Sequence, residues 1–187
     1  MNNFDWKINQ TWNFKYIKDY DVAELKNKVL SLDEAIWRKL DKLERQIPHF
    51  YVQPIFLMDF PMMWDGTEYP LQSYLEGFDF SQEVQNIITD LENHFDGRVG
   101  RVLLLRLDAY REITLHVDAG YYLSVVHRCH IPLHTMEGVD FIVGDEKIHM
   151  KEGQCYEINN RHNHMVSNDS PKFRIHLLID IIPNTFL

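Results

Sequence analysis

RVLLLRLDAYREITLHVDAG, residues 101–120, is the stretch on which the fold turns. An apolar run, Val102 to Leu105 with Leu107, is followed by the polar break DAYRE. A second run, Ile113 to Val117, then alternates apolar and polar side chains. Alternation with a period of two marks half-buried strands. In an extended chain residues i and i+2 face the same way, so His116 and Asp118 converge on one side of their strand.

The pattern continues toward the C-terminus. EITLHV, SVVHRCHIPL, VDFIVG, EKIHM, QCYEINN, HMVSN and KFRIHLLIDIIP are short and bounded by Gly, Asp, Asn, Pro or Ser. With RVLLLRL they predict an eight-stranded sandwich or barrel of jelly-roll type over residues 100–183. Upstream the period is helical. SLDEAIWRKLDKLERQ (31–46) offers a capping box, Ser31 with Glu34, and Ile36, Leu40 and Leu43 at helical spacing. SQEVQNIITDLENHF (81–95) places Val84, Ile87, Ile88 and Leu91 on one stripe, with Ser81 as N-cap. Helices near 22–46 and 81–95 are therefore predicted to pack outside the strands. FYVQPIFLMDFPMMWDGTEYP between them reads as a short strand and an irregular connection. No repeat, low-complexity segment or linker divides the 187 residues, which read as one domain with a helical and irregular part, 1–99, before the strands.

A net charge of −9 with no basic cluster argues against nucleic acid or an anionic membrane surface. MNNFDWKINQ carries no signal-like apolar core, and no apolar run reaches the roughly 18 residues of a membrane span. Cys129 and Cys155 give no disulfide framework, and a reducing cytoplasm is the expected compartment. Cys129 is expected to face the core.

Eight of the ten histidines lie between His116 and His176, inside the strand region. Two histidines and a carboxylate on one face of an ion, with the opposite positions open, are diagnostic of non-haem Fe(II) oxygenases. His116 and Asp118 supply two such ligands. The third must come from a later strand, and by spacing both His162 and His164 in NNRHNHMVSND qualify.

HRCHIPLHT, MKEGQCYEINNRHNHMVSND and FRIHLLIDIIP, in this order and spacing, resemble the signature blocks of the aspartyl/asparaginyl β-hydroxylase family of Fe(II)- and 2-oxoglutarate-dependent oxygenases. The resemblance covers roughly residues 100 to 183 and implies a double-stranded β-helix, a cupin-like jelly roll. It places metal ligands on His116 and, through the match NN…H.V.N, on His164 rather than His162. Family members that lack the carboxylate ligand have glycine where this chain has Asp118, so the chain resembles those with a complete triad, His116, Asp118 and His164. The arginine and histidine of the family's R-x-H-x-x-L block fall on Arg128 and His130. The basic residue for the far carboxylate of 2-oxoglutarate falls on Arg174, ten residues after His164. Bidentate guanidinium–carboxylate pairing suits that role, and an unpartnered arginine among the apolar residues of KFRIHLLIDII is costly.

The implied reaction couples oxidative decarboxylation of 2-oxoglutarate to hydroxylation of a substrate carbon by O2. A free amino acid, or an amino-acid side chain in a peptide, is the expected substrate. A cupin-like metalloenzyme that does not use 2-oxoglutarate and a non-catalytic metal- or small-molecule-binding protein are the rivals, and Arg174 argues against both. His127, His134 and His149 read as surface or strand-filling, and Asp180 as a structural acceptor. Trp64, Tyr121 and Tyr122 suit either a pocket wall or the core. Gly153 serves the KEGQ turn.

Overall fold

The computed structural model describes residue 7 and residues 9–38 and 51–187. Eight strands from residue 97 onward carry the alternation read from the sequence. They are β4 (Gly97–Leu107), β5 (Arg111–His116), β6 (His127–His134), β7 (Val139–Val143), β8 (Glu146–Ile148), β9 (Gln154–Ile158), β10 (His164–Asn168) and β11 (Arg174–Pro183). Two upstream strands, β1 (Phe14–Asp19) and β2 (Val52–Asp59), and the two-residue β3 (Gln72–Ser73) extend the same framework.

The strands form two facing antiparallel sheets. One runs β1-β9-β6-β11-β4-β2-β3 and the other β5-β10-β7-β8. Successive strands from β4 to β11 step between the sheets, with only β7 and β8 adjacent in both chain and sheet. This is the expected double-stranded β-helix. Gly153 turns the chain into β9 with φ of +80°, a conformation that suits a residue without Cβ.

The larger sheet is buried on both faces, as the almost continuous burial of β11 shows. On β11, Ile175, Leu177, Ile179 and Ile181 face a core shared with the helices. Each such fully buried side chain contributes about 1.5–3 kcal/mol of transfer free energy. That core also takes Leu25 and Val29 of α1 (Ala23–Leu30), Trp37 of α2 (Glu34–Arg38), and Val84, Ile87, Ile88 and Leu91 of α3 (Ser81–Phe95). Cys129 and Cys155 are buried there as free thiols, as expected of Cys129. Between the sheets, Val52, Leu107, Ile113, Phe141, Val143, Met150, Ile158 and Val166 form an inner cluster.

Four local expectations are corrected. The helix expected from 22 to 46 breaks after Leu30, and Leu40 and Leu43 lie outside the described residues. Ser31 does not open a helix: its amide donates to Asn27 O, which ends α1. Asp33 takes the capping role by accepting from the Ala35 amide at 2.8 Å, while both Glu34 oxygens pair with Arg106. Ser81 is the first helical residue rather than the cap. The entry to α3 is fixed instead by Phe80, fully buried and stacked on Phe78 at 5.0 Å. The strand expected from Ser124 starts at His127, because Tyr121–Val125 forms a short helix, α4, that buries Tyr122, Leu123 and Val125. Among the described residues no helix is long and apolar enough to cross a membrane.

Candidate metal centre and cosubstrate cavity

β5 and β10 are neighbours, and their pairing sets His116 directly opposite His164. The register slips beside this pair: Val166 lies opposite Ile113, so Met165 of β10 alone faces both Thr114 and Leu115 of β5. The extra residue is a β-bulge, and it turns the end of β5 so that His116 points into the barrel. Leu115 is left on the outside. One turn of chain later, the Asp118 amide donates to Asn160 O at 3.1 Å. The result is a cluster in which one ligand atom each of His116, Asp118 and His164 lies within 4.8 Å of the others.

The orientation of each donor is fixed by what its other atom does. His116 Nδ1 donates to Thr114 O at 2.7 Å, and His164 Nδ1 donates to His162 O at 2.9 Å. Both imidazoles are thereby held as the tautomer whose Nε2 carries the lone pair. These Nε2 atoms stand 3.9 Å and 4.0 Å from Asp118 Oδ1. Asp118 Oδ2 is occupied by Arg128 at 2.6 Å and by the Asn160 side-chain amide at 3.1 Å. Burial opposes ionisation of Asp118, but Arg128, His164 and His116 outweigh it and hold the carboxyl at about 2. Burial pushes His164 below its ordinary value, which favours the neutral, ligating form. The donor set fits a divalent iron held on one face. His162 sits apart, its Nδ1 2.9 Å from Asn13 Oδ1.

A cavity of about 390 Å³, including its open mouth, runs inward from these three residues. It is lined by Arg128, His130 and Arg174 together with apolar side chains such as Leu105, Ile158 and Leu178. Arg174 is 0% exposed, and neither its Nε nor one terminal nitrogen has a hydrogen-bond partner. Burial pushes the guanidinium down to about 9, so it remains charged at neutral pH. Such an orphaned cation is expensive, and a carboxylate entering the cavity would satisfy it. On β11 His176 has both ring nitrogens unpartnered, and on the adjoining β6 the Nδ1 of His130, whose ring lies 5.8 Å from that of His176, is unpartnered as well.

Arg128 is engaged more fully than the sequence indicates. Its Nε and one terminal nitrogen grip Asp180 at 2.9 Å and 2.8 Å, and the other terminal nitrogen holds Asp118. Asp180 in turn accepts from the Tyr122 hydroxyl at 3.0 Å, and that hydroxyl accepts from the Arg101 amide at 2.8 Å. Gly100 makes this possible, since a Cβ there would collide with the Tyr122 hydroxyl. Tyr122 is therefore a core residue, and Trp64 and Tyr121 pack on each other beside it; none of the three lines the cavity. The sequence reading passed over Asn160. Its signal was the buried pair Asn159–Asn160 just before the histidines, since buried amides require partners.

The sequence profile of the aspartyl/asparaginyl β-hydroxylase family matches residues 79–183. No curated protein sequence matches the chain. Solved structures share the fold at low identity. An oxidoreductase of the 2OG-Fe(II) oxygenase family from Burkholderia pseudomallei aligns with TM-score 0.54 and 16% identity over 70% of this chain. The chain spans 66% of that protein, just under two thirds. A non-heme alpha-ketoglutarate-dependent epimerase of nogalamycin biosynthesis aligns with TM-score 0.57 and 13% identity, over 92% of this chain and 78% of its own. A viral collagen prolyl hydroxylase from Paramecium Bursaria Chlorella virus-1 gives 0.52 and 13%, over 92% and 97%. With the profile spanning more than half of its residues, the chain belongs to the aspartyl/asparaginyl β-hydroxylase family.

Proposed function

We propose that this protein is an Fe(II)- and 2-oxoglutarate-dependent dioxygenase that hydroxylates a free amino acid or an amino-acid side chain within a peptide. The observation that carries the reading is Arg174, a buried, unpartnered guanidinium in the cavity that also holds His116, Asp118 and His164. Iron with 2-oxoglutarate and O2 supplies oxidative decarboxylation, to succinate and CO2, coupled to oxidation of a substrate C–H bond.

The residues of the chain bind, orient and exclude water. His116 and His164 present Nε2, and Asp118 presents Oδ1. Arg128 and Asn160 hold the second Asp118 oxygen and so fix which oxygen faces the histidines. Arg174 takes the far carboxylate of 2-oxoglutarate, with His130 beside the path between the two ends. Leu105, Ile113, Phe141, Ile158, Val166 and Leu178 form the dry wall.

The test is a screen of free amino acids and short peptides with the Fe(II)-loaded protein, 2-oxoglutarate and ascorbate. The expected outcome is succinate formation with a mass gain of one oxygen on the substrate. Metal binding without any dependence on 2-oxoglutarate would instead favour a cupin-like enzyme of other chemistry, or a binding protein.

A further inference from the structure

Asn160 holds Asp118 only if its side-chain amide points the right way round. Its Nδ2 faces two acceptors, Asp118 Oδ2 at 3.1 Å and Leu123 O at 2.9 Å. Its Oδ1 faces a donor, Lys7 Nζ, at 3.3 Å. A flipped amide would set Nδ2 against an ammonium and Oδ1 against a carboxylate and a carbonyl, three mismatched contacts in a buried place. Lys7 is therefore one of three partners that fix the amide orientation, and the one that holds Oδ1.

Lys7 is itself held in a built environment. Its side chain is fully buried, and Nζ lies 3.4 Å from Glu157 Oε1. Glu157 also accepts from His127 Nδ1 at 2.7 Å. The Lys7 carbonyl accepts from the Asn159 side-chain amide at 2.9 Å. A lysine brought indoors at the cost of desolvation is placed more economically at the surface unless its donor serves something inside.

We propose that Lys7 is a positioning residue of the metal centre. Lys7 steadies Asn160, Asn160 sets Asp118, and Asp118 Oδ1 is thereby aimed at the ion. The proposal rests on the metal reading of His116, Asp118 and His164. Its test measures Co(II) affinity of the apo protein, together with the intensity of the Co(II) d–d absorption, in a two-residue cycle. Lys7→Met is expected to weaken Co(II) binding by about tenfold and Asn160→Ala by about 10–100-fold, the range for partners that orient metal ligands. The double variant is expected to bind no more weakly than Asn160→Ala alone, because Lys7 acts through Asn160.

A merely structural lysine would lower the melting temperature and leave the affinity of the folded fraction unchanged, which overturns the proposal. Additive losses in the double variant overturn it as well. If Lys7→Met fails to fold because Glu157 is left unpaired, Lys7→Met/Glu157→Gln removes both charges. It is expected to show the same tenfold loss, and wild-type affinity in it counts against Lys7. Failure of the wild-type protein to bind Co(II), or binding that survives His116→Ala, overturns the metal reading itself. That result is distinct from normal wild-type binding with an indifferent Lys7 variant.

Discussion

Ile113 and His116 lie three residues apart on β5, yet both face the interior of the barrel, because the bulge opposite His164 and Val166 inserts one residue between them. A regular strand would send one of the two outward. Deleting Leu115 removes the extra residue and leaves His116 two positions after Ile113, so regular pairing keeps both side chains inward and His116 opposite His164. The expected outcome is a folded protein by circular dichroism whose Fe(II) affinity stays within about tenfold of wild type. A loss of more than about 100-fold in the deletion variant would show that the bulge itself, and not the register opposite His164, presents the ligand.

The separation of His162 from the cluster makes a paired prediction. His164→Ala is expected to abolish tight iron binding, again by more than about 100-fold. His162→Ala breaks a contact with Asn13 and should leave iron affinity within a few-fold of wild type, although His162 O still accepts from His164. Anaerobic titration of the two variants measures both. Loss confined to the His162 variant would reverse the assignment.

Arg174 predicts two effects of opposite sign. In Arg174→Met, 2-oxoglutarate binding to the iron-loaded protein should weaken about 30- to 150-fold, the worth of one bidentate charge-assisted pair of about 2–3 kcal/mol. The apo variant should be as stable as wild type or more so, since an unsatisfied buried group costs about 1–3 kcal/mol. Titration of the metal-to-ligand absorption band and urea unfolding of the apo protein read the two effects separately. An apo variant less stable by several kcal/mol would mean that Arg174 has protein partners.

His176 and His130 predict a pH dependence of apo stability. Burial, with the nearby arginines, pushes both imidazoles well below their ordinary 6.5, so the folded protein keeps them neutral. In the unfolded chain they protonate near 6.5. Below that pH the unfolded state binds more protons, and stability falls as the pH falls. Each such group adds about 1.4 kcal/mol per pH unit to the slope well below 6.5. His176→Leu should flatten the slope between pH 6 and pH 5 by nearly that amount. An unchanged slope would mean that His176 titrates in the folded protein much as it does in the unfolded chain.

The strand framework was legible because alternation along β5, β7 and β11 is a direct imprint of a wall with two faces. The triad was narrowed to two candidates by spacing, and the block match favoured His164. What the sequence hid depended on contacts between distant segments. β1 is recognised as a strand only once β9 lies beside it, since its residues are half exposed. Ser31 and Glu34 have the spacing of a capping box, but Arg106, 72 residues away, draws Glu34 off. The bulge in β5 leaves no mark in composition, because TLH alternates as any strand does. The tie between Lys7 and Asn160 spans 153 residues, and no local pattern encodes it.

The two faces of β11 bear on how such a protein diversifies. Ile175, Leu177, Ile179 and Ile181 answer only to the helical core, whereas Arg174, His176 and Asp180 answer to the cavity and its supports. Parity along a single strand therefore separates residues under selection for folding from residues under selection for chemistry. Point substitutions of one parity are free to retune ligand preference without disturbing the scaffold. An insertion or deletion of a single residue exchanges the two sets at once, driving Arg174 into the oily layer and isoleucines into the cavity. Lineages descending from this architecture should accordingly vary β11 by replacement and almost never by length.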